Sequence, residues 1–225
     1  MLNRFLSACS ALVVFSGTVF AAMPEGEYLD GGASKSAVIL AHGQGLSPTS
    51  QVVNPLRKDI HKELGMHTLS LQMPVVSGMK GEGKFLEYEA TFPESYKTIQ
   101  GGIDFLKEKG VEKIYLMGYS MGARMTTAYL AGNPDSGVAG YIGVGMLGGG
   151  QAPLNANLNL RKIKIPVLDI FAESDMDAKS AEPRKNFVSD RYTQIPIPGA
   201  KHDYRCCESD VSAHVLKWLK KQEQK

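Results

Sequence analysis

The chain has few of the features that mark disulfide scaffolds, membrane spans or nucleic-acid surfaces. Of its 225 residues only three are cysteine (Cys9, Cys206 and Cys207), too few for a disulfide framework. The formal net charge is +2, too small for a basic nucleic-acid surface, and there is no block of five like charges. Away from the N-terminus no apolar run reaches the ~18 residues of a membrane helix, and no internal repeat occurs. His61 and His67 lack companions at metal-ligand spacing and read as surface residues. What is present is 43% hydrophobic residues, enough for one sizeable core and hence one domain.

The N-terminus stands apart. Arg4 precedes an apolar run from Phe5 to Phe20, and Val19 and Ala21 fit a small-residue cleavage site. This is the three-part layout of a secretory signal peptide, cut after Ala21 or Ala22. The expected organisation is a signal peptide at 1–22 and one domain at 23–225, periplasmic or secreted, with no stable membrane insertion after cleavage. Leu6-Ser7-Ala8-Cys9 resembles a lipidation box but precedes most of the apolar core, against its order in lipoproteins. Export leaves Cys206 and Cys207 in an oxidising compartment. Neighbouring α-carbons lie ~3.8 Å apart while disulfides prefer ~5.5–6 Å, so a bridge is strained. Two buried thiols are the alternative.

Along the remaining chain, strand-like and helix-like segments alternate. Apolar runs ending in "AHGQG", "MHTLSLQMP", "EKIYLMG", "VAGYIGVGM", "KIPVLDIFAESD" and "RYTQIPIPG" read as strands. Val53, Leu56, Ile60 and Leu64 recur at helical spacing, as do Tyr96, Ile99, Ile103 and Leu106 in a helix stopped by Gly110. Helices are also expected at 121–131 and 208–221, with a short one at 180–189. Residues 23–36 read as a loop or one weak strand, and 75–90 as a long polar loop. Such alternation predicts an α/β fold with a mostly parallel sheet of six to seven strands covered on both faces. In these sheets ligands bind outside the carboxyl ends of the strands.

Four groups fall at those strand exits: His42-Gly43-Gln44-Gly45, Ser120, Asp175 and His202. Ser120 sits in Gly118-Tyr119-Ser120-Met121-Gly122, between a strand and a helix. A serine on so sharp a turn projects its hydroxyl above the sheet, and glycines two residues away relieve clashes with strand and helix. A nucleophilic serine needs a base, and the base needs an acceptor that holds its tautomer. His202 lies just past the last strand, whereas His214, the one other histidine after Ser120, is inside the final helix. For the acid, Asp175 follows the end of its strand; Asp177 is its rival, and Asp169 lies within the strand. Backbone N–H groups of Met121 and Gln44 are the expected oxyanion donors.

On these motifs, over residues 37–220, the chain resembles the α/β-hydrolases, and among them small bacterial carboxylesterases of the dienelactone-hydrolase and acyl-thioesterase type. It departs from dienelactone hydrolases in having Ser rather than Cys at 120. The short segment before Ala37 also leaves little room for the first two strands of the full eight-stranded layout. The resemblance implies hydrolysis of a small-molecule ester or thioester through Ser120, Asp175 and His202, with no metal or organic cofactor. Alternatives are a peptidase or lipase on the same residues, or a non-catalytic binding protein of this fold. The segment "LGGGQAPLNANLNLR" is too short for a cap domain, which predicts an open site and short or medium acyl groups.

Edman sequencing of exported protein is expected to begin at Ala22 or Met23; a chain beginning at Met1 would remove the signal-peptide reading.

Overall fold

Strands buried on both faces must be apolar throughout, and the central strands of this chain are. The computed structural model describes residues 22–76, 84–174 and 176–225. The expected signal peptide up to Ala21, the glycine-rich part of the loop at 77–83, and Asp175 lie outside the described residues. Seven strands form one sheet among those described: β1 (Gly26–Leu29), β2 (Ser36–Ala41), β3 (His67–Leu71), β4 (Lys113–Tyr119), β5 (Val138–Val144), β6 (Val167–Ala172) and β7 (Tyr192–Ile197). Their order is β1-β3-β2-β4-β5-β6-β7. Only β1 runs antiparallel, paired to β3, and it is the weak strand expected within 23–36. The other neighbours are parallel.

Side-chain alternation along each strand divides the core in two. On one face Ile39 and Leu116 pack with α2 (Phe92–Glu108) and α3 (Met121–Gly132), through Ile99, Ile103, Leu106, Met125 and Tyr129. On the other, Val38, Leu40 and Met117 pack with α1 (Val53–Leu64) and α6 (Glu208–Glu223), through Leu56, Ile60, Val215 and Leu219. Full burial of each such side chain is worth about 1.5–3 kcal/mol. Two pieces of secondary structure fall in stretches read as loop. Residues 84–91 of the polar loop wind into a 3₁₀ helix. Within the β5–β6 connection lies α4 (Ala156–Leu160), started by Asn155, whose side chain accepts from the N–H groups of Asn157 and Leu158. Helix formation after β6 begins earlier than expected, with α5 (Met176–Ala181) followed by a 3₁₀ turn at Glu182–Phe187. No cap domain is present among the described residues, and no helix there is long and apolar enough to cross a membrane.

A buried ion pair ties this second half together. Asp169 on β6 meets Arg184 through both oxygens, Nε to Oδ2 at 2.8 Å and Nη2 to Oδ1 at 3.0 Å. Neither side chain is exposed. Tyr192 and Gln194 of β7 also donate to Asp169 Oδ2, each at 2.9 Å. The remaining Arg184 nitrogen donates to the carbonyls of Met146 and Ser180 and to Asn157 Oδ1. Both charges of this pair are thus matched and hydrogen-bonded, as a low-dielectric interior demands of an ion pair.

Where β4 turns into α3, space is the constraint. A Cβ on Gly122 would overlap the carbonyl oxygen of Ala41 and come within 2.5 Å of the His42 carbonyl oxygen. Both obstacles are backbone and cannot step aside cheaply. Gly122→Ala is therefore expected to destabilise the fold by roughly 1–3 kcal/mol, measured by urea unfolding; an unchanged midpoint would mean that β2 and α3 are not so tightly docked.

Candidate active site

The carboxyl ends of β2, β4, β5 and β6 lie side by side, and the turns leaving them converge. Ala41 of β2 is level with Gly118, and Tyr119 with Val144 of β5. Ser120 follows with φ 54° and ψ −113°, a left-handed conformation that non-glycine residues rarely adopt. Its N–H donates to the Val144 carbonyl at 3.1 Å, and its carbonyl accepts from Ala123 and Arg124, which starts α3. The turn is feasible because a Cβ on Gly118 would lie 2.6 Å from the Ala123 Cα. Such a backbone stores about 1–3 kcal/mol and persists only where its surroundings over-determine it.

The Ser120 hydroxyl lies 2.8 Å from His202 Nε2, and His202 Nδ1 lies 2.5 Å from Asp177 Oδ1. Asp175, the carboxylate expected here, is outside the described residues, and the carboxylate that faces His202 is that of its rival, Asp177. The reason is local. Because α5 starts at Met176, Asp177 falls in its first turn, turned back under the end of β6 and wholly buried. There its Oδ2 accepts from the Ala172 N–H at 3.2 Å and from the Tyr204 hydroxyl at 2.7 Å. These bonds orient the carboxylate and leave Oδ1 for the imidazole. Burial and the Asp177 charge both push the Tyr204 phenol well above its ordinary range, so it stays a donor.

The loop carrying His202 is held at several points. The Tyr119 hydroxyl lies 2.9 Å from the His202 carbonyl oxygen and 2.8 Å from Gln51 Oε1, and the Tyr119 ring stacks on the imidazole. Gly145 (φ 59°) closes the floor: a Cβ there would come 3.1 Å from His202 Cε1 and 3.2 Å from Asp177 Oδ2. Beyond His202 the loop ends in a disulfide between the neighbouring Cys206 and Cys207, which answers the choice left open by the sequence. Cys207 caps α6, and its N–H donates to the Tyr204 carbonyl.

Gly43, Gln44 and Met121 border the same cavity of about 740 Å³ as Ser120 and His202. The Gln44 N–H has no acceptor among the described residues. Met121 is the first residue of α3, where a helix supplies no acceptor of its own. Both N–H groups expected as oxyanion donors are therefore uncommitted beside Ser120, at the positive end of the α3 dipole. The His202 side chain keeps 21% of its exposure, so the site is open to solvent. Arg124, one turn into α3 and passed over in the sequence reading, also lines the cavity. Its spacing after Ser120 was the available signal, since i and i+4 share a helix face.

A family model described as an alpha/beta hydrolase domain matches residues 34–221. No curated protein matches the chain. Solved structures of like fold include a dienelactone hydrolase from Anabaena variabilis, 20% identical, with a TM-score of 0.68 over 89% of this chain and 94% of that one. Est1E from Butyrivibrio proteoclasticus, with ferulic acid bound, is 18% identical, with a TM-score of 0.64 over 92% and 100% of the two chains. XC6422 from Xanthomonas campestris, described as a serine hydrolase without lid, is 14% identical, with a TM-score of 0.61 over 88% and 86%.

The turn that carries Gln44 hangs on a buried histidine. His42 Nε2 accepts the Met73 N–H at 3.0 Å, so its proton sits on Nδ1, which donates to the Gly43 carbonyl at 2.9 Å. Burial lowers its pKa below the ordinary 6.5. A histidine held neutral in the fold contributes fully above its unfolded pKa, and that contribution is lost as pH falls from about 6.5 towards the folded value. Unfolding free energies measured between about pH 5 and 8 are expected to decline below pH 6.5. In His42→Gln, whose amide does not titrate, this part of the slope should vanish; an identical slope would assign it to other groups.

Proposed function

The chain belongs to the α/β-hydrolase family, and on that premise we propose that it is a serine hydrolase cleaving carboxylic ester or thioester bonds by way of an acyl-enzyme. The observation that carries this reading is the continuous run of hydrogen bonds Ser120–His202–Asp177 at the mouth of an open cavity. Substrate enters with its carbonyl carbon above Ser120 Oγ. His202 Nε2 takes the hydroxyl proton as Oγ attacks, and Asp177 stabilises the imidazolium without accepting its proton. Negative charge on the former carbonyl oxygen is met by the N–H groups of Gln44 and Met121. The imidazolium returns its proton to the leaving alkoxide or thiolate. Water, deprotonated by His202, then attacks the acyl-enzyme, and the second tetrahedral intermediate collapses to release the acid and free Ser120.

Support for an acyl substrate also comes from the names of proteins of like fold, which include a dienelactone hydrolase and a metagenome-derived lipolytic enzyme. The β5–β6 connection carries only the five-residue α4, which favours short or medium acyl chains over lipids. In a deep tunnel each buried CH₂ would add ~0.8 kcal/mol, a gain that an open pocket forgoes. We further propose that the enzyme acts after export, on the strength of its N-terminal segment alone.

The expected outcome of a fluorophosphonate reaction is a label on Ser120, absent in Ser120→Ala. That variant should lose roughly 10³–10⁶ in turnover of p-nitrophenyl butyrate, and Asp177→Asn about 10³–10⁴, while Asp175→Asn should stay near the parent rate. Full activity in Ser120→Ala would mean another nucleophile, whereas a parent protein with neither label nor turnover would be a binding protein. Rates that climb steadily from acetate to palmitate would call for a lipase instead.

A further inference from the structure

Among the described residues, two of the buried arginines, Arg124 and Arg184, are treated differently. Arg184 spends its Nε–Nη2 edge on Asp169. Arg124 is 4% exposed, yet no carboxylate lies within ion-pair distance of it among the described residues. Its Nη1 donates to the carbonyls of Gly149 and Leu154 and its Nη2 to that of Gly148, while Phe85 stacks on the guanidinium at 4.5 Å. An arginine has five N–H donors. Three are used, which leaves Nε–H and one Nη2–H without an acceptor among the described residues.

That edge is not sealed in the core. The buried side-chain polar atoms lacking a partner among the described residues are Thr68 Oγ1 and Ser212 Oγ, so Arg124 Nε retains access to solvent. Arg124 lines the cavity shared with Ser120 and His202. Lys201, exposed, adds a second positive charge to the cavity wall. Among the described residues that line it, the single carboxylate is Asp203, which lies 3.4 Å from Arg205. Desolvation without a counter-charge lowers the Arg124 pKa to about 10, the opposite of what Asp169 does for Arg184. Carbonyl dipoles hold the guanidinium in place but do not neutralise it, and an unpaired buried cation is costly.

We infer that the free edge of Arg124 is a carboxylate-recognition element, and that the substrate is an ester or thioester carrying a second, free carboxylate. This deepens the acyl-hydrolase reading and rests on it. The fork geometry favours a planar carboxylate bound by two parallel N–H···O bonds. Arg124 sits one helical turn, about 6 Å along the axis, beyond Ser120, so a short spacer separates the scissile carbonyl from that carboxylate.

Matched esters test this in two arms, followed by proton release. In the acyl arm, monoethyl succinate, glutarate and adipate are compared with ethyl butyrate, pentanoate and hexanoate. In the alcohol arm, butyryl esters of glycolate and 3-hydroxypropanoate are compared with ethyl and propyl butyrate. In one arm the anionic ester is expected to have kcat/KM about tenfold or more above its neutral partner, mostly through KM, with the ratio shrinking at about 0.5 M salt. Arg124→Gln should bring the ratio to about one, and Arg124→Lys should restore only part of it, because an ammonium lacks the fork. Since Arg124 also holds the 148–154 loop, an independent reading uses the parent protein: glutarate should raise its Tm more than an equal ionic strength of chloride. Hydrolysis of neutral esters with no anionic preference in either arm would overturn the inference and spare the proposed activity. A glutarate shift in a protein inert to every ester would sink the proposed activity and sustain the anion site. A ratio unchanged in Arg124→Gln would also overturn the inference.

Discussion

The left-handed backbone of Ser120 is the constraint around which the rest of the molecule is arranged. To hold a serine at φ 54° between β4 and α3, the helix must press against the strands so closely that Gly118 and Gly122 have no room for a Cβ. That docking brings the Ala41–Gly43 backbone to the serine, where a Cβ on Gly43 would lie 3.1 Å from the Ser120 Cβ. It also aims the first N–H groups of α3 at the space above the hydroxyl. The strain is offset by burial on both faces of a seven-stranded sheet.

The three non-glycine residues with positive φ among those described are Gln51, Ser120 and Tyr204. All three meet at one place. Gln51 accepts from the Tyr119 hydroxyl, and Tyr204 donates to Asp177. Strain kept in such a cluster, at a few kcal/mol in total, marks a geometry maintained against local preference. The Cys206–Cys207 bridge closes the same loop, so His202 is held from both sides, by Tyr119 before it in the sheet and by the start of α6 after it.

Buried charge divides into structural and available groups. Asp169 and Arg184 satisfy each other and fasten the β5, β6 and β7 ends to the segment that presents Asp177. Arg124 fastens the loop after β5 by carbonyls alone and keeps part of its donor edge towards the cavity. The same residue type is thus a finished bond in one location and an open one in the other, a distinction made by neighbouring residues rather than by burial.

Local sequence determined the alternation of strands and helices, because apolar runs such as SAVILA and the three-to-four spacing of α1 and α2 are decided by which faces must be dry. It also determined the glycine-flanked serine, since steric exclusion at a strand-to-helix turn is a short-range effect, and it singled out His202 by elimination. What tertiary structure decided lies beyond the reach of neighbouring residues. Asp175 and Asp177 have equal chemistry two positions apart, and only the start of α5 and the donors Ala172 N–H and Tyr204 OH put Asp177 beside the imidazole. The pairing of Asp169 with Arg184, the anchoring of the Gln44 turn by His42, and the unpaired edge of Arg124 likewise join residues far apart in the chain. Electrostatic partners are chosen by distance in space, which periodicity and propensity do not encode.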